Sequence, residues 1–529
     1  MENRIDKTIT DLQPRPTFRS NMAAVAKGSG FVFSGKLFMD AIRFVIGFAL
    51  ARLLGADQYG MYSLTLSAVN IAVGLSLLGL DDALVRFVAV MVGRKDEKAI
   101  WGSIQVGLGL AISLSVVTGT LLFGYSYIVA EKIFHNISLA PLLQLAAVFV
   151  PVLSLTEMLA GTVKGFKRID YSVIARSYFQ PILRLILIVI LAFSGLDAYR
   201  AVFIFCLAEL AVSGLLLYYL NREFRLNRPL REATRDFKGI LEFSLPIWLS
   251  DMMVKFQGNI QAIALGALNT ITSVGVFSIA RQITMVSGHF TSSLNVSSKP
   301  FLAQLYDQRD FKQLGQIYQT ANKWAVMVQL PIFLIMFLFP ITLLSIFGES
   351  YIQGAAALMA LAVADLLNVG TGMGGAFLEM TGYTKLKLVN SIIRLGLYIG
   401  VGLWLIPQYG VIGAAFSVLA GEGVVNILRM IEVYILFKLI PFNMGFIKPV
   451  IAAGCAVGGV LILGLWIPLQ ANLLNALYGM TLLLTVYAAV TYLLGFSKEE
   501  AFMLDGLHNR AQKLSAKLKR KNRTGSDEN

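Results

Sequence analysis

The sequence contains few charged residues. Asp, Glu, Lys and Arg make up 14% of its 529 residues, whereas soluble globular domains carry about 25%. At the same time 56% of the residues are hydrophobic, and a water-soluble domain could not bury that much apolar surface. The composition therefore excludes a soluble enzyme and a disordered protein, and it indicates a chain that folds in a lipid bilayer.

Cysteine and histidine are also scarce. The two cysteines, Cys206 and Cys455, lie inside apolar stretches, so a secreted disulfide scaffold is excluded. The three histidines are scattered along the chain, and we expect neither a metal site nor an organic cofactor. The first 20 residues are polar and lack the apolar core of a cleavable signal peptide, so we expect no such signal.

Long apolar runs are what the sequence does contain. About fourteen of them reach the roughly 20 residues that a helix needs to cross a bilayer. They are far longer than the alternating segments of a membrane β-barrel, so we predict an all-α polytopic membrane protein. The predicted spans are 25–53, 60–80, 100–123, 139–163, 171–194, 199–220, 240–267, 273–298, 320–346, 351–380, 386–406, 411–437, 447–467 and 472–496.

The positions of Lys and Arg predict the orientation of these spans. With both termini in the cytoplasm, only Arg52, Lys132 and Arg200 fall on outer connections, and nearly all other basic residues outside the spans fall on inner loops and tails. Because cytoplasmic loops carry an excess of Lys and Arg, we predict a multi-pass protein of the cell (inner) membrane with both termini cytoplasmic. The net charge of +14 is then an orientation signal, and no nucleic-acid partner is expected.

Weakly similar segments recur about 215 residues apart. YGMYSLTLS at 59–67 matches VGVFSIARQ at 274–282, and GFKRIDYSVIAR at 165–176 matches GYTKLKLVNSII at 382–393. Duplicated six-span halves are typical of transporters, with the substrate path between the halves. The predicted organisation is a cytoplasmic N-tail (1–24), an N-lobe (25–220), a linker (221–239), a C-lobe (240–440), two additional spans (441–496) and a basic amphipathic tail (497–529).

Several spans carry charges, each of which costs about 2.5–3.5 kcal/mol at mid-bilayer unless it faces a partner or water. In several spans the charged and polar residues recur at three- or four-residue steps and so form a polar stripe along one helix face. These stripes indicate a hydrated central cavity that is lined by spans 1, 7 and 8, with contributions from spans 2 and 10. Arginine predominates among the cations, and its planar fork pairs well with phosphate. The stripes contain Lys36, Asp40 and Arg43 in span 1, Asp251, Lys255 and Asn259 in span 7, Arg281 in span 8 and Asp365 in span 10.

Residues 49–89 carry a recognisable motif, ALARLLGADQYGMYSLTLSAVNIAVGLSLLGLDDALVRFVA. The run resembles the polysaccharide-exporter, or Wzx-like O-antigen flippase, family, in which A-R-x-L-G-x-x-x-Y-G-x-Y-S leads to L-G-L-x-x-A-L-x-R-F. The resemblance extends more loosely over residues 25–440. It implies two pseudo-symmetric six-helix lobes in a V-shaped, MATE-like arrangement, which move a polyprenyl-diphosphate-linked oligosaccharide from the inner to the outer leaflet by alternating access.

The resemblance also implies roles for residues and partners. Basic cavity residues would contact the diphosphate or an acidic sugar. Independently of the resemblance, the membrane potential alone could drive the export of an anionic head group, and coupling to H⁺ or Na⁺ through Asp40, Asp251 or Asp365 is the alternative. Expected partners are the lipid-linked substrate, membrane lipids and other polysaccharide assembly proteins, and the chain is expected to be a monomer. The candidate substrate-binding residues are Arg43, Lys255, Arg281, Lys36, Arg394 and Asn259.

Other functions stay open at this stage. Lipid II flippases and drug/cation antiporters share the implied fold, and the two spans beyond twelve keep the lipid II alternative open. A polytopic enzyme normally has a sizeable loop with clustered acids or histidines; no such loop is present, so we expect no catalytic residue. The stretch GTGMGGAF at 370–377 lacks a preceding strand, and it predicts a bend or close packing in span 10 rather than a phosphate loop.

Overall fold

A computed structural model describes residues 18–193, 195–227, 229, 233–467 and 472–495. The predicted tail 497–529 and most of the N-tail lie outside these residues. The described residues form helices and no strand, which confirms the all-α prediction. The helices are α1 (Phe18–Leu77), α2 (Leu80–Arg94), α3 (Glu97–Ile128), α4 (Ala140–Gly165), α5 (Ile169–Val173), α6 (Gln180–Ala192), α7 (Ala198–Glu223), α8 (Phe237–Leu268), α9 (Ile271–Asp307), α10 (Phe311–Leu338), α11 (Pro340–Ser345), α12 (Ala355–Gly370), α13 (Gly374–Met380), α14 (Thr384–Tyr409), α15 (Val411–Phe437), α16 (Ile447–Gly464) and α17 (Leu473–Leu493).

Each predicted span coincides with helix. α1 covers the first two spans and is interrupted at Gly55, whose φ of 70° favours glycine. Ten helices of the described part are long and apolar enough to cross a membrane, and Ser34–Leu77 with Leu80–Arg94 passes as a pair bent by 43°. α8 and α9 have 32 and 37 residues but are not among the ten, because polar stripes interrupt them. The multi-pass fold is confirmed, and fourteen remains the predicted number of spans.

Short polar side chains fix where several helices begin. Asp96, Asp197, Asp236 and Asp310 each accept a hydrogen bond from the backbone N–H three residues further on, at 2.8–3.0 Å. Asn472 does the same at the start of α17. Such caps satisfy N–H groups that have no partner within the helix, and each typically stabilises it by about 1 kcal/mol.

The duplication is visible in the loops before α3 and α10. Lys95 and Arg309, which lie 214 positions apart, both adopt a φ of 55°. The next residues, Asp96 and Asp310, each donate a backbone hydrogen bond to the carbonyl five residues earlier and cap the following helix. The same loop geometry at this spacing supports the predicted duplication.

A second pair of loops, after α4 and after α13, also repeats. Lys167 donates a backbone hydrogen bond to the Lys164 carbonyl, and Gly382 donates one to the Glu379 carbonyl, 215 positions later. Both residues have positive φ, 63° and 88°. The structural register at this loop is therefore 215, whereas our overlay of 165–176 on 382–393 implies 217.

By contacts the chain divides into two compact units. The first contains the described residues up to 282 together with 347–354 and 395–417; the second contains 283–346, 355–394 and the described residues from 418 onward. This division differs from the predicted six-span lobes because α8 packs against α1 and α2. The lobe boundaries rest on sequence repetition and stay a prediction.

Each unit has its own apolar core. In the first, Leu159 and Val163 of α4 pack against Val212 and Leu216 of α7. In the second, the two additional predicted spans, α16 and α17, pack against each other and against α10. There the Tyr487 hydroxyl donates a hydrogen bond to the Met327 carbonyl at 2.9 Å.

Candidate functional site

Within the first unit the start of α9 crosses α1 at two glycines. A methyl group on Gly60 would overlap the Ile271 carbonyl, and one on Gly275 would overlap the Ala56 carbonyl. Gly60 and Gly275 are repeat equivalents, as are Ala56 and Ile271. The contact is thus reciprocal, as at a two-fold axis, and only glycine lets the two backbones approach this closely.

Two further pairs of equivalent residues meet at this crossing. The Oγ atoms of Ser63 and Ser278 are 2.7 Å apart, and the Thr272 hydroxyl donates to the Asp57 carboxylate at 3.3 Å. Each pair is separated by 215 positions. These contacts give the predicted pseudo-symmetry a definite register.

One turn further along α9, Gln282 packs onto α1. Its Oε1 accepts a hydrogen bond from the Tyr59 hydroxyl at 3.2 Å, and its Nε2 donates to the Phe44 carbonyl at 3.1 Å. Gly47 provides the room, because a methyl group there would overlap the Gln282 amide. Gln282 therefore holds the part of α1 that carries Arg43. Our sequence analysis missed it, since one uncharged residue gives no periodic signal.

α8 brings Lys255 against α1. The Trp248 indole N–H donates to the Gly74 carbonyl at 3.0 Å, and the Lys255 side chain packs against Gly74. Lys255 interacts electrostatically with Asp251, as the sequence spacing predicts. The Asn259 amide donates at 2.8 Å to the Lys255 carbonyl, so it is partly engaged by its own helix.

Lys255 also lies within electrostatic range of Asp81 and Glu157. Glu157 in turn accepts two hydrogen bonds from Arg176, at 2.5 and 2.6 Å, in the paired geometry that arginine favours with carboxylates. Next to it, the Gln180 amide donates to Glu209. A network of ionic and polar groups thus runs between α8, α4 and the residues that precede α6.

Arg43 and Arg184 differ from this network in their partners. Arg43 lies within electrostatic range of two other arginines, Arg184 and Arg176, and of the acids Asp40 and Glu209. Arg184 donates to the Tyr62 hydroxyl at 2.5 Å. In the described part of the chain neither Arg43 nor Arg184 has a carboxylate within salt-bridge distance, and Arg43 is exposed.

Three further candidate residues of the first unit lie close to Arg43 or Gln282 in the sequence. Lys36 is exposed and Asp40 is half-buried one turn later on α1, while Arg281 is half-buried beside Gln282. Gly258 on the stripe of α8 faces open space. Their roles in substrate binding and coupling stay predictions.

The second unit holds Arg394 and Asp365. Arg394 forms a salt bridge with Glu422 at 3.3 Å, and both side chains are largely buried. The Asp365 carboxylate accepts from the Ser287 hydroxyl at 3.4 Å. Ser287 and Thr284 are fully buried, so this part of the predicted stripe of span 8 does not face water. The side chains of Thr291 and Asn295, further along that stripe, lie outside the described ones.

Span 10 is broken where the glycines predict a bend. α12 ends at Gly370 and α13 begins at Gly374. The backbone carbonyls freed by the break have partners on α10: Asn322 donates to Gly370 at 3.1 Å, and Tyr318 donates to Thr371 at 3.2 Å. The predicted bend is confirmed, and a broken helix of this kind is typical of transporter spans near a substrate path.

Outside the spans, Arg168 joins α4 to α5 and lies between two acids. It contacts Asp170 at 3.1 Å and Glu223 at 2.6 Å, and its guanidinium lies 3.8 Å from the centre of the Tyr171 ring. The hydrogen bond to the Asp170 carboxylate raises the pKa of Arg168. The described residues contain no group of three His, Cys, Asp or Glu side chains that could hold a metal ion.

Two related halves, a broken span and ionic groups set among apolar helices define a multi-pass membrane transporter. The model of the polysaccharide biosynthesis protein family matches residues 25–306, more than half of the sequence. The chain therefore belongs to this family, as the motif at 49–89 predicts. The model of the MatE family matches residues 246–404.

Curated relatives are similar at low identity. Stage V sporulation protein B of Bacillus subtilis is 21% identical over 450 residues, which cover 79% of this chain and 84% of the relative. The capsular polysaccharide biosynthesis protein CapF of Staphylococcus aureus is 22% identical over 224 residues, 42% of this chain and 56% of the relative.

Solved structures share the fold. The lipid II flippase MurJ in an inward closed conformation matches with a TM-score of 0.70 and 12% identity, over 87% of this chain and 98% of that one. An inward-facing multidrug resistance MATE family transporter matches with a TM-score of 0.65 and 17% identity, over 76% and 94%. The predicted MATE-like fold class is confirmed.

Proposed function

We propose that this protein is a flippase that moves a polyprenyl-diphosphate-linked oligosaccharide from the inner to the outer leaflet of the cell membrane by alternating access. Both termini would be cytoplasmic, and other polysaccharide assembly proteins would supply and consume the substrate. Membership of the polysaccharide biosynthesis protein family supports the substrate class.

The observation that carries the proposal is the pair Arg43 and Arg184. A charge inside a span needs a partner or water. Arg184 donates to the Tyr62 hydroxyl and lies over the Phe205 ring. In the described part of the chain neither Arg43 nor Arg184 has a carboxylate within salt-bridge distance, and the acids Asp40 and Glu209 act on Arg43 from further away. A diphosphate would supply the missing negative charge, and arginine binds phosphate oxygens in pairs. Of the other predicted contacts, Lys36, Lys255, Asn259 and Arg281 would bind the rest of the head group, whereas the Glu422 carboxylate already neutralises Arg394.

The proposed mechanism follows from the cost of moving a polar head through hydrocarbon. A free lipid flips slowly because its charged sugar head must leave water. Basic and polar side chains would replace that water around the head group, while the prenyl tail stays in the bilayer. The protein forms and breaks no covalent bond in this cycle.

The test is flipping of a fluorescent polyprenyl-diphosphate oligosaccharide in proteoliposomes. Each charge-assisted hydrogen bond contributes about 1.5–3 kcal/mol, so R43Q and R184Q should each lower the initial rate about tenfold or more at equal protein insertion. The matched control, R168Q, removes an arginine that already has two acids, and it should keep the rate. Full activity of the R43Q/R184Q double variant would overturn the proposal.

A lipid II flippase is the second candidate. The specific observation is the match to MurJ, which extends over 98% of that chain, with two helices, α16 and α17, after the predicted lobes. Proteoliposomes should be offered lipid II and a peptide-free oligosaccharide diphosphate in parallel. Faster flipping of the peptide-free substrate supports the first proposal, and faster flipping of lipid II supports the second. A drug/cation antiporter would instead transport a cation and lose activity on removal of Asp40, Asp251 or Asp365.

A further inference from the structure

A cationic cluster lies in the second unit. The Glu379 carboxylate contacts the ammonium group of Lys299 at 3.1 Å with one oxygen and that of Lys387 at 2.8 Å with the other. The three side chains keep 27%, 34% and 44% of their surface exposed, respectively. The cluster has one negative and two positive charges, and solvent reaches all three groups.

Three helices supply these residues. Glu379 lies in α13, Lys387 lies in the first turn of α14, and a short loop at 381–383 joins the two helices. Lys299 comes from the C-terminal half of α9. In the predicted topology this loop is cytoplasmic, which is the side from which a newly made lipid-linked precursor enters.

At the matching loop in the first half of the chain the charges have the opposite signs, with one cation between two acids. In the structural register of 215, Lys164 corresponds to Glu379 and Ser172 corresponds to Lys387. The cluster there is Arg168 between two carboxylates. The same turn therefore forms without a pair of lysines, so turn formation does not explain the excess of positive charge in the second half.

The chemistry of the cluster suits an anion with several oxygens. An ammonium group has three N–H donors, and Glu379 engages each lysine through a single oxygen, so further donors remain available at an exposed site. Because both ammonium groups lie on one carboxylate, they are close enough for one phosphate-type anion to bridge them. A dianion would also outcompete the single negative charge of Glu379.

We propose that Lys299 and Lys387 form an entry site for the diphosphate of the lipid-linked substrate, and that Glu379 positions their ammonium groups until the anion replaces it. This inference rests on the proposed function, which supplies the diphosphate. It adds a binding site on the cytoplasmic side, separate from Arg43 and Arg184.

Inorganic pyrophosphate is the probe, and its binding to the purified full-length protein in neutral phosphatidylcholine nanodiscs is the measurement. K299M/K387M should weaken binding at least about tenfold, because two charge-assisted contacts are lost. E379Q should bind pyrophosphate as tightly as the wild type or more tightly, because a competing charge is removed. If the cluster only joins three helices, E379Q would instead bind no better than K299M/K387M, and the proposal would be wrong.

Two controls complete the experiment. R168M, at the inverse cluster of the first half, should leave pyrophosphate binding unchanged. Addition of phosphatidylglycerol separates the two sources of phosphate: the proposal expects pyrophosphate to stay bound at equal concentration, and displacement by the lipid would assign the site to bulk phospholipid and overturn it.

The result is independent of the flipping assay. Unchanged pyrophosphate affinity in K299M/K387M overturns the entry site even if oligosaccharide flipping is demonstrated. If R43Q/R184Q flips normally while the lysine variant loses pyrophosphate binding, the proposed central site fails and the anion site remains.

Discussion

Arg176 and Arg184 lie eight residues apart in the same predicted span, yet their partners differ. Arg176 is neutralised by the Glu157 carboxylate, whereas Arg184 has the neutral Tyr62 hydroxyl and the face of Phe205. An ion pair inside a span contributes to structure, because each charge satisfies the other. Arg184 has no carboxylate within salt-bridge distance among the described residues, so it keeps more of its attraction for an anion. We therefore expect a structural role for Arg176 and propose Arg184 for substrate binding.

The Glu157–Arg176 pair gives a stability prediction. E157Q leaves Arg176 without its carboxylate and should lower the free energy of unfolding by about 1–3 kcal/mol. E157Q/R176Q removes both charges and should cost less than the sum of the two single changes. Thermal unfolding in detergent is the measurement, and purely additive effects would show that the two side chains do not stabilise each other.

At this scale the sequence predicts which charges lie in spans but not what they contact. Spacing along one helix correctly placed Asp251 near Lys255, because neighbours on a helix face are four residues apart. The carboxylate partners of Arg394 and Arg176 come from other helices. Gln180 and Gln282 also make contacts between helices, and because they are uncharged they do not stand out in an apolar span. Periodicity contains no information about contacts between helices, so those partners could not be predicted.

At the scale of elements, the crossing of α1 and α9 depends on two glycines. G60A and G275A should each destabilise the protein by about 1–3 kcal/mol, because the added methyl group overlaps a backbone carbonyl that cannot move aside like a side chain. G214A on α7 is the matched control, since open space surrounds that position. Alanine lowers the backbone entropy of the unfolded chain relative to glycine, so this variant should have the stability of the wild type or be more stable by up to about 1 kcal/mol.

Unfolding midpoints of the three glycine variants, measured in one detergent, test this prediction. Equal midpoints for G60A and G214A would contradict the close approach of the two helices. A useful addition is S63A, which removes only the hydroxyl contact to Ser278 and should cost about 1 kcal/mol.

The helices themselves were the most predictable part of the molecule. Each apolar run predicts a helix because an unpaired backbone is too costly in lipid, and the glycines at 370–377 correctly predicted the break of span 10. The interruption of α1 at Gly55 falls between the predicted spans 25–53 and 60–80, whereas the bend between α1 and α2 was not predicted. They depend on backbone angles at single positions such as Gly55.

For the whole molecule, the proposed cargo makes transport sensitive to voltage. Moving two negative charges outward through an inside-negative potential of 100 mV releases about 4.6 kcal/mol. A potassium diffusion potential of that sign should therefore accelerate outward flipping, and the opposite sign should slow it. Initial rates in proteoliposomes at fixed pH and sodium concentration provide the measurement.

Ion coupling is the competing explanation for the driving force. If Asp40, Asp251 or Asp365 carries a proton or sodium ion, D40N, D251N or D365N should abolish the dependence of flipping on that ion's gradient. An unchanged rate and an unchanged ion dependence in all three variants would leave voltage as the driving force.

The reciprocal contact around Gly60 and Gly275 has an evolutionary consequence. Since each half contributes the same two positions to the crossing, one six-span polypeptide already contains both surfaces that the contact needs. A six-span ancestor could thus have formed the same contact as a homodimer before gene fusion. In a fused chain each copy can change its charges independently, and at one pair of equivalent positions, Lys164 and Glu379, the two halves now carry opposite signs.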